Sequence, residues 1–290
     1  MSTPCKNYGK SIRARLLNIA KEENIFYQTI LTRYFQERLL YRMSKTGFRE
    51  NFYLKGGALM YAYEKFAARP TLDIDFLGRN ISNEGSSIIA AFKEICSVTC
   101  EEDGVSFDVE CISAQNITEF KDYHGVRLSI PVKMDSIEQV LTMDIGFGDV
   151  VTPSPVNLDF PLLLSHLPCA NILAYSLETV IAEKMHAIID LADQSSRMKD
   201  YYDIYRILKE ERYDVGILQE AIVRTFENRH ATYDVNTMFF KKDFGDNQQM
   251  EVRWKAFMRK INKATEVAFS DVVTFLQQSL SPYWERMRPV

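Results

Sequence analysis

The segment "YLKGGALMYAYEKFAARPTLDIDFLG", residues 53–78, decides how the chain is read. A short apolar run ends in Gly56-Gly57, a helix-like stretch follows, and two aspartates then alternate with apolar residues in "LDIDFL". In a strand, residues i and i+2 share a face. The spacing therefore predicts a strand over 71–78 with Asp73 and Asp75 on one side and Leu72, Ile74 and Phe76 on the other. Two carboxylates held that close repel unless a cation lies between them or one is protonated. The cation that carboxylates commonly hold this way for catalysis is Mg2+, which fills its other positions with water and phosphate oxygens.

The neighbouring residues supply the rest of a phosphate chemistry. "FYLK" (52–55) reads as a strand, Ala58–Phe66 as a helix, and Gly56-Gly57 as the turn between them. Glycines there let backbone N–H groups approach an anion, with the positive end of a helix dipole behind them. In "VLTMDIGFGDV", Asp144 sits in a strand between Met143 and Ile145. Paired beside 71–78, that strand would bring three aspartates together, the usual protein share of a two-metal phosphoryl-transfer site. Each piece alone has a plainer use: glycines make turns, and edge strands carry charge for solubility. Their order and combination point to nucleotide chemistry.

Elsewhere, helical periodicity covers residues 10–46 as two helices with a break near Asn24. A helix is expected over 84–98, then strands over 105–112, 125–133 and 139–147. Residues 151–168 carry four prolines and no lasting period, which predicts a packed linker. From Ser176, a plausible helix cap, the pattern is helical to the end: to about Ala192, then 199–210, 214–228, 251–263 and 270–285. The expectation is an α+β protein, with a mixed β-sheet and flanking helices in residues 1–165 and a helical domain in 166–290.

The 290 residues suffice for a sizeable core, and the formal charge of −4 gives no global attraction to nucleic acid or membrane. Five cysteines without a CxxC pair, and a polar N-terminus, suggest reduced thiols in a cytosolic protein. No apolar run reaches transmembrane length. The four histidines have no metal-ligand spacing, and no GxSxG, HExxH or P-loop is present. In 251–266, Arg253, Lys255, Arg259, Lys260 and Lys263 line a basic face opposite Trp254, Phe257, Met258 and Ile261. That pattern fits a solvated face over a core stripe better than an RNA contact.

The stretch "GGAL…RPTLDIDF", followed in order by "MDIGFGD" (143–149), "AYSLETVIAEKMHAI" (174–188) and "SRMKDYYDIYRI" (196–207), resembles the AbiEii/AbiGii-type nucleotidyltransferase toxins. These form a bacterial branch of the DNA-polymerase-β-like superfamily, and the resemblance spans about Phe52 to Leu208. It implies a nucleotidyltransferase core, with Gly56 and Gly57 holding the nucleotide phosphates and Asp73, Asp75 and Asp144 ligating Mg2+. It also implies that Lys184 contacts the phosphates and that Asp200 is a required acidic residue and candidate base. Arg69 and Arg197 are either triphosphate ligands or partners of nearby aspartates. Without the resemblance, Lys184 with Asp200 or Asp203 reads equally well as a structural ion pair. Ala58 stands where many members carry Thr.

The resemblance further implies transfer of a nucleotide from an NTP to an acceptor hydroxyl, with the 3′ end of tRNA as acceptor and a cognate antitoxin as protein partner. Two other readings stay open: the same transfer onto a protein or small molecule, and a non-catalytic nucleotide-binding module.

Overall fold

The computed structural model describes residues 7–120, 123–210, 212–263 and 267–288. The chain divides into two units, Met1–Gly148 with Val156–Ala174, and Asp149–Pro155 with Tyr175–Val290. Residues 166–174 thus go with the first unit and 149–155 with the second, an exchange that no composition shift marks.

The first unit opens with α1 (Tyr8–Glu22) and α2 (Tyr27–Met43). The break between them includes Asn24 at φ 52°, a left-handed conformation that asparagine tolerates better than most residues. Then come β1 (Phe52–Lys55), α3 (Gly56–Glu64), β2 (Ile74–Gly78), α4 (Gly85–Ser97), β3 (Ser106–Phe107), β4 (Ser113–Phe120), β5 (Tyr123–Met134), β6 (Ile137–Phe147), β7 (Val156–Asp159) and β8 (Asn171–Ala174). The strands join in one mixed sheet of order β3-β5-β6-β2-β1-β8-β7, with β4 also pairing β5. β2 runs parallel to β6 and β1 parallel to β8; the other pairs are antiparallel.

Three expectations about strands need correction. The strand expected over 105–112 is only β3 followed by a 3-10 turn, Val109–Cys111. The proline-rich 151–168 is not only linker, since it contains β7. β2 begins at Ile74, so Leu72 lies before the strand and is 62% exposed rather than on the apolar face.

One face of the sheet is core. Phe52 of β1 meets both Phe76 of β2 and Phe92 of α4, with ring centroids 6.0 and 5.1 Å apart. Leu54, Ile74, Met143, Ile145, Val126 and Leu128 continue that buried face across four strands. Helix α2 is buried along almost its whole length from Thr29, including Arg33, Glu37, Arg38 and Arg42. Most of those charges are answered locally, as buried charge requires. Arg42 donates to both Asp103 oxygens and to the Val105 carbonyl, and Arg38 pairs with Glu37 at 2.6 Å. Glu37 also accepts from the Leu163 amide. Gln36 donates to the Leu72 carbonyl and so ties α2 to the entrance of β2.

The second unit is helical: α5 (Leu177–Leu191), α6 (Met198–Lys209), α7 (Val215–Asn228), α8 (Gln248–Lys260) and α9 (Phe269–Glu285). Ser176 caps α5 as expected, accepting from the Thr179 amide. α8 starts three residues before the expected 251 because Asn247 caps it. Trp254 and Met258 are buried, while Arg253 donates to the carbonyls of Asp193 and Ser195, so this side chain holds a turn. Among the described residues no helix is long and apolar enough to cross a membrane. Cys96, Cys100, Cys111 and Cys169 are free thiols; Cys5 lies outside the described residues.

Candidate active site

Alternation along the strands sets up the site. With Leu54, Ile74, Phe76, Met143, Ile145, Val126 and Leu128 committed to the core face, the residues between them must occupy the other. Those residues pair directly: Lys55 with Asp75, Asp75 with Asp144, and Asp144 with Arg127. One row of four charged side chains, cation–anion–anion–cation, therefore crosses β1, β2, β6 and β5. The two carboxylates sit on adjacent parallel strands, at the roughly 4.8 Å spacing of a sheet.

Arg127 grips Asp144 with a two-point fork, Nε to Oδ1 and Nη2 to Oδ2, both at 2.7 Å. The Asp144 side chain is 12% exposed and that of Arg127 44%. At the other end of the row, the Lys55 ammonium reaches to 3.8 Å from where a side chain on Gly146 would begin. It thus extends across β2 toward the strand that carries Asp144.

The glycines bring a further element to the same place. Gly56 has φ +68°, and a Cβ there would lie 1.9 Å from Asp75 Oδ2. A Cβ on Gly57 would lie 2.7 Å from Thr71 Cβ. Both hydrogens are needed so that the first turn of α3 can pack against 71–75. The Asp75 carboxylate consequently sits at the positive end of α3, where an anion is favoured.

Of the three aspartates expected together, the structure pairs Asp75 with Asp144. Asp73 is exposed and lies one residue before β2. Among the described residues no group of three or more His, Cys, Asp or Glu side chains is arranged to hold a metal. Two adjacent carboxylates on a solvent-reached face nonetheless suit Mg2+, which takes one or two from the protein and completes its shell with water and phosphate oxygens. Arg69 lies in the half-buried segment between α3 and β2.

Lys184, Arg197 and Asp200 belong to the helical unit, where they form a buried ion cluster. Lys184 of α5 lies 2.7 Å from Asp200 and 2.9 Å from Asp203 of α6, and Arg197 donates to Asp200 at 2.7 Å. Burial pushes the Asp200 carboxyl upward, but Lys184 and Arg197 outweigh it and hold the pKa at about 2. Arg229 of the same unit donates to Asp149 at 2.9 Å and approaches His186 at 3.4 Å. Burial, with that guanidinium, lowers the His186 pKa to about 4.

Residues 38–277 match the family described as nucleotidyl transferase AbiEii toxin, of a type IV toxin–antitoxin system. The chain belongs to this family. It is a nucleotidyltransferase, and the family implies an NTP substrate and an antitoxin partner. The AbiEii-family fold is similar to two solved structures. One is a crystal structure from H. pylori titled as a nucleotidyltransferase by inference (15% identity, 86% of this chain, 92% of that chain, TM-score 0.49). The second is JHP933 from Helicobacter pylori (14% identity, 86% of this chain, 89% of that chain, TM-score 0.48). No curated protein matches the chain.

Two residues of the charged row, Lys55 and Arg127, were not among the sequence candidates. Lys55 directly precedes Gly56-Gly57, and Arg127 alternates with Val126 and Leu128, so each carried a local signal. What gives them meaning is strand pairing over long sequence separations.

Proposed function

We propose that this nucleotidyltransferase moves a nucleotide from an NTP to a hydroxyl on RNA, with the 3′ end of tRNA as acceptor. We further propose that it does so in the cytoplasm as a toxin restrained by its antitoxin. The observation that supports the site assignment is the in-register pair Asp75–Asp144 beside the Gly56 turn. In the reaction the acceptor oxygen bonds to the α-phosphorus, the bond to the bridging oxygen breaks, pyrophosphate leaves, and the hydroxyl proton passes to solvent water.

Asp75 and Asp144, with Asp73 as the further acid that the resemblance adds, would hold Mg2+. Bound there, the ion would lower the pKa of the attacking hydroxyl and neutralise charge on the phosphates. Gly56 and Gly57 add no side chain of their own to the first turn of α3, whose N–H groups would meet phosphate oxygens beside the Asp75 carboxylate. Lys184, Arg69 and Arg197 are the proposed cationic phosphate ligands. Asp200, with a pKa of about 2, is a weak proton acceptor at neutral pH, so its proposed role is to fix Lys184 and Arg197.

Incubation of the purified chain with each α-labelled NTP, Mg2+ and either total tRNA or total protein tests the acceptor. Label on tRNA 3′ ends that vanishes with Asp75→Asn supports the proposal. Label on protein alone overturns the RNA assignment, and NTP binding without any labelled acceptor favours a binding module.

A further inference from the structure

The charged row holds a cation that has no assigned role. Arg127 occupies both oxygens of Asp144 in the planar, two-point geometry that a guanidinium makes best. Asp75 and Asp144 side by side would repel, and cations paired at both ends of the row offset that repulsion. A divalent ion shared by Asp75 and Asp144 must compete with Arg127 for the Asp144 oxygens. The Arg127 side chain is 44% exposed, on the sheet face that also carries the carboxylate pair. Its long stem lets it exchange one anion for another without moving the strand.

We propose that Arg127 is a resident counter-cation for Asp144 that yields the carboxylate to the incoming divalent ion and turns to the nucleotide's phosphates. The same side chain would thereby weaken metal binding to the free enzyme and strengthen nucleotide binding to the metal-loaded one. Metal and nucleotide would then bind cooperatively, because each releases the competitor of the other. This inference rests on the reading that Asp75 and Asp144 are metal ligands.

The test is direct binding, independent of turnover. Mn2+ affinity of the full chain would be measured by titration calorimetry or electron paramagnetic resonance. Binding of the four α,β-methylene nucleoside triphosphates, which cannot be transferred, would be measured at saturating Mn2+. Arg127→Ala is expected to bind Mn2+ alone about three- to tenfold more tightly, since one exposed two-point ion pair no longer competes. It should bind the analogue about tenfold more weakly once Mn2+ is present. Arg127→Lys keeps the charge without the fork and should fall between Arg127→Ala and wild type on both measures. Mn2+ binding unchanged or weakened in Arg127→Ala overturns the proposal, and so does unchanged analogue binding. Asp75→Asn and Asp144→Asn separate the two levels. If neither weakens Mn2+ binding, the metal-ligand reading fails; if both do and Arg127→Ala does not tighten it, only the role of Arg127 fails.

Discussion

Replacing Lys184 with methionine probes the buried ion cluster of the helical unit. The Lys184 side chain is 11% exposed, and its ammonium serves two carboxylates, Asp200 and Asp203, whose side chains are 1% and 2% exposed. Lys184→Met removes the ammonium that lies 2.7 Å from Asp200 and 2.9 Å from Asp203, two carboxylates in a buried place. The Asp200 pKa lies near 2 against an ordinary 3.8. That gap corresponds to roughly 2 kcal/mol of native-state stabilisation of the charged form. Removing one member of a buried pair costs about 3–5 kcal/mol. Because Arg197 still holds Asp200, the expected loss is near the lower end, about 3 kcal/mol.

Both tryptophans, Trp254 and Trp284, lie in the helical unit, so their fluorescence in urea reports that unit alone. The stability that Asp200 contributes is present above about pH 3.8 and lost as pH falls toward 2, and Lys184→Met should shift that loss to higher pH. Lys184→Met/Asp203→Asn should recover at least about 1 kcal/mol by removing one of the two carboxylates that share this ammonium. A single-variant loss below about 1 kcal/mol, or no recovery in the double variant, would refute this account of the cluster.

Gly56→Ala forces a Cβ at φ +68° and to within 1.9 Å of Asp75 Oδ2. The backbone alone costs about 1–2 kcal/mol, and the displaced carboxylate should lower transfer at least about a hundredfold, measured as label incorporated by protein that still melts cooperatively. Arg33, 2% exposed, stacks on Tyr61 at 4.5 Å, but its buried Nε and Nη1 have no hydrogen-bond partner among the described residues. Arg33→Met should therefore raise the thermal midpoint, by about 1 kcal/mol equivalent, and a clear drop would show that the stacked cation outweighs its desolvation. For His186 the folded pKa of about 4 lies below the ordinary 6.5, so the unfolded chain takes the proton first as pH falls. The helical unit should lose about 1 kcal/mol between pH 6.5 and 4.5 after allowance for partial solvent screening, and His186→Gln should flatten that slope in tryptophan-monitored urea titrations.

What the sequence made legible was local. The alternation of Ile74 and Phe76 around Asp75, the strand before Gly56, and Asp144 between two apolar residues are all patterns within a few positions. The pairing that sets Asp75 beside Asp144, with Lys55 and Arg127 at the ends, spans up to about ninety residues of chain and leaves no local mark. Asp73 shows the same limit: period two assigned it to the strand, but the carbonyl before it is tied to Gln36 of α2 and β2 begins one residue later. Helix α2 carries too many charges to be read as buried, and its burial follows from partners such as Asp103 and the Leu163 amide. β7 and β8 are four residues each, too short for a period to show among prolines.

The central claim is that Asp75 and Asp144 together form the acidic heart of the transferase. Single-turnover pyrophosphate release, with NTP, Mg2+ and tRNA, measures this most directly in wild type and in Asp75→Asn and Asp144→Asn. The account predicts that each variant folds with a near-wild-type melting profile yet loses at least about a thousandfold in rate. Release at close to the wild-type rate from either folded variant would contradict it.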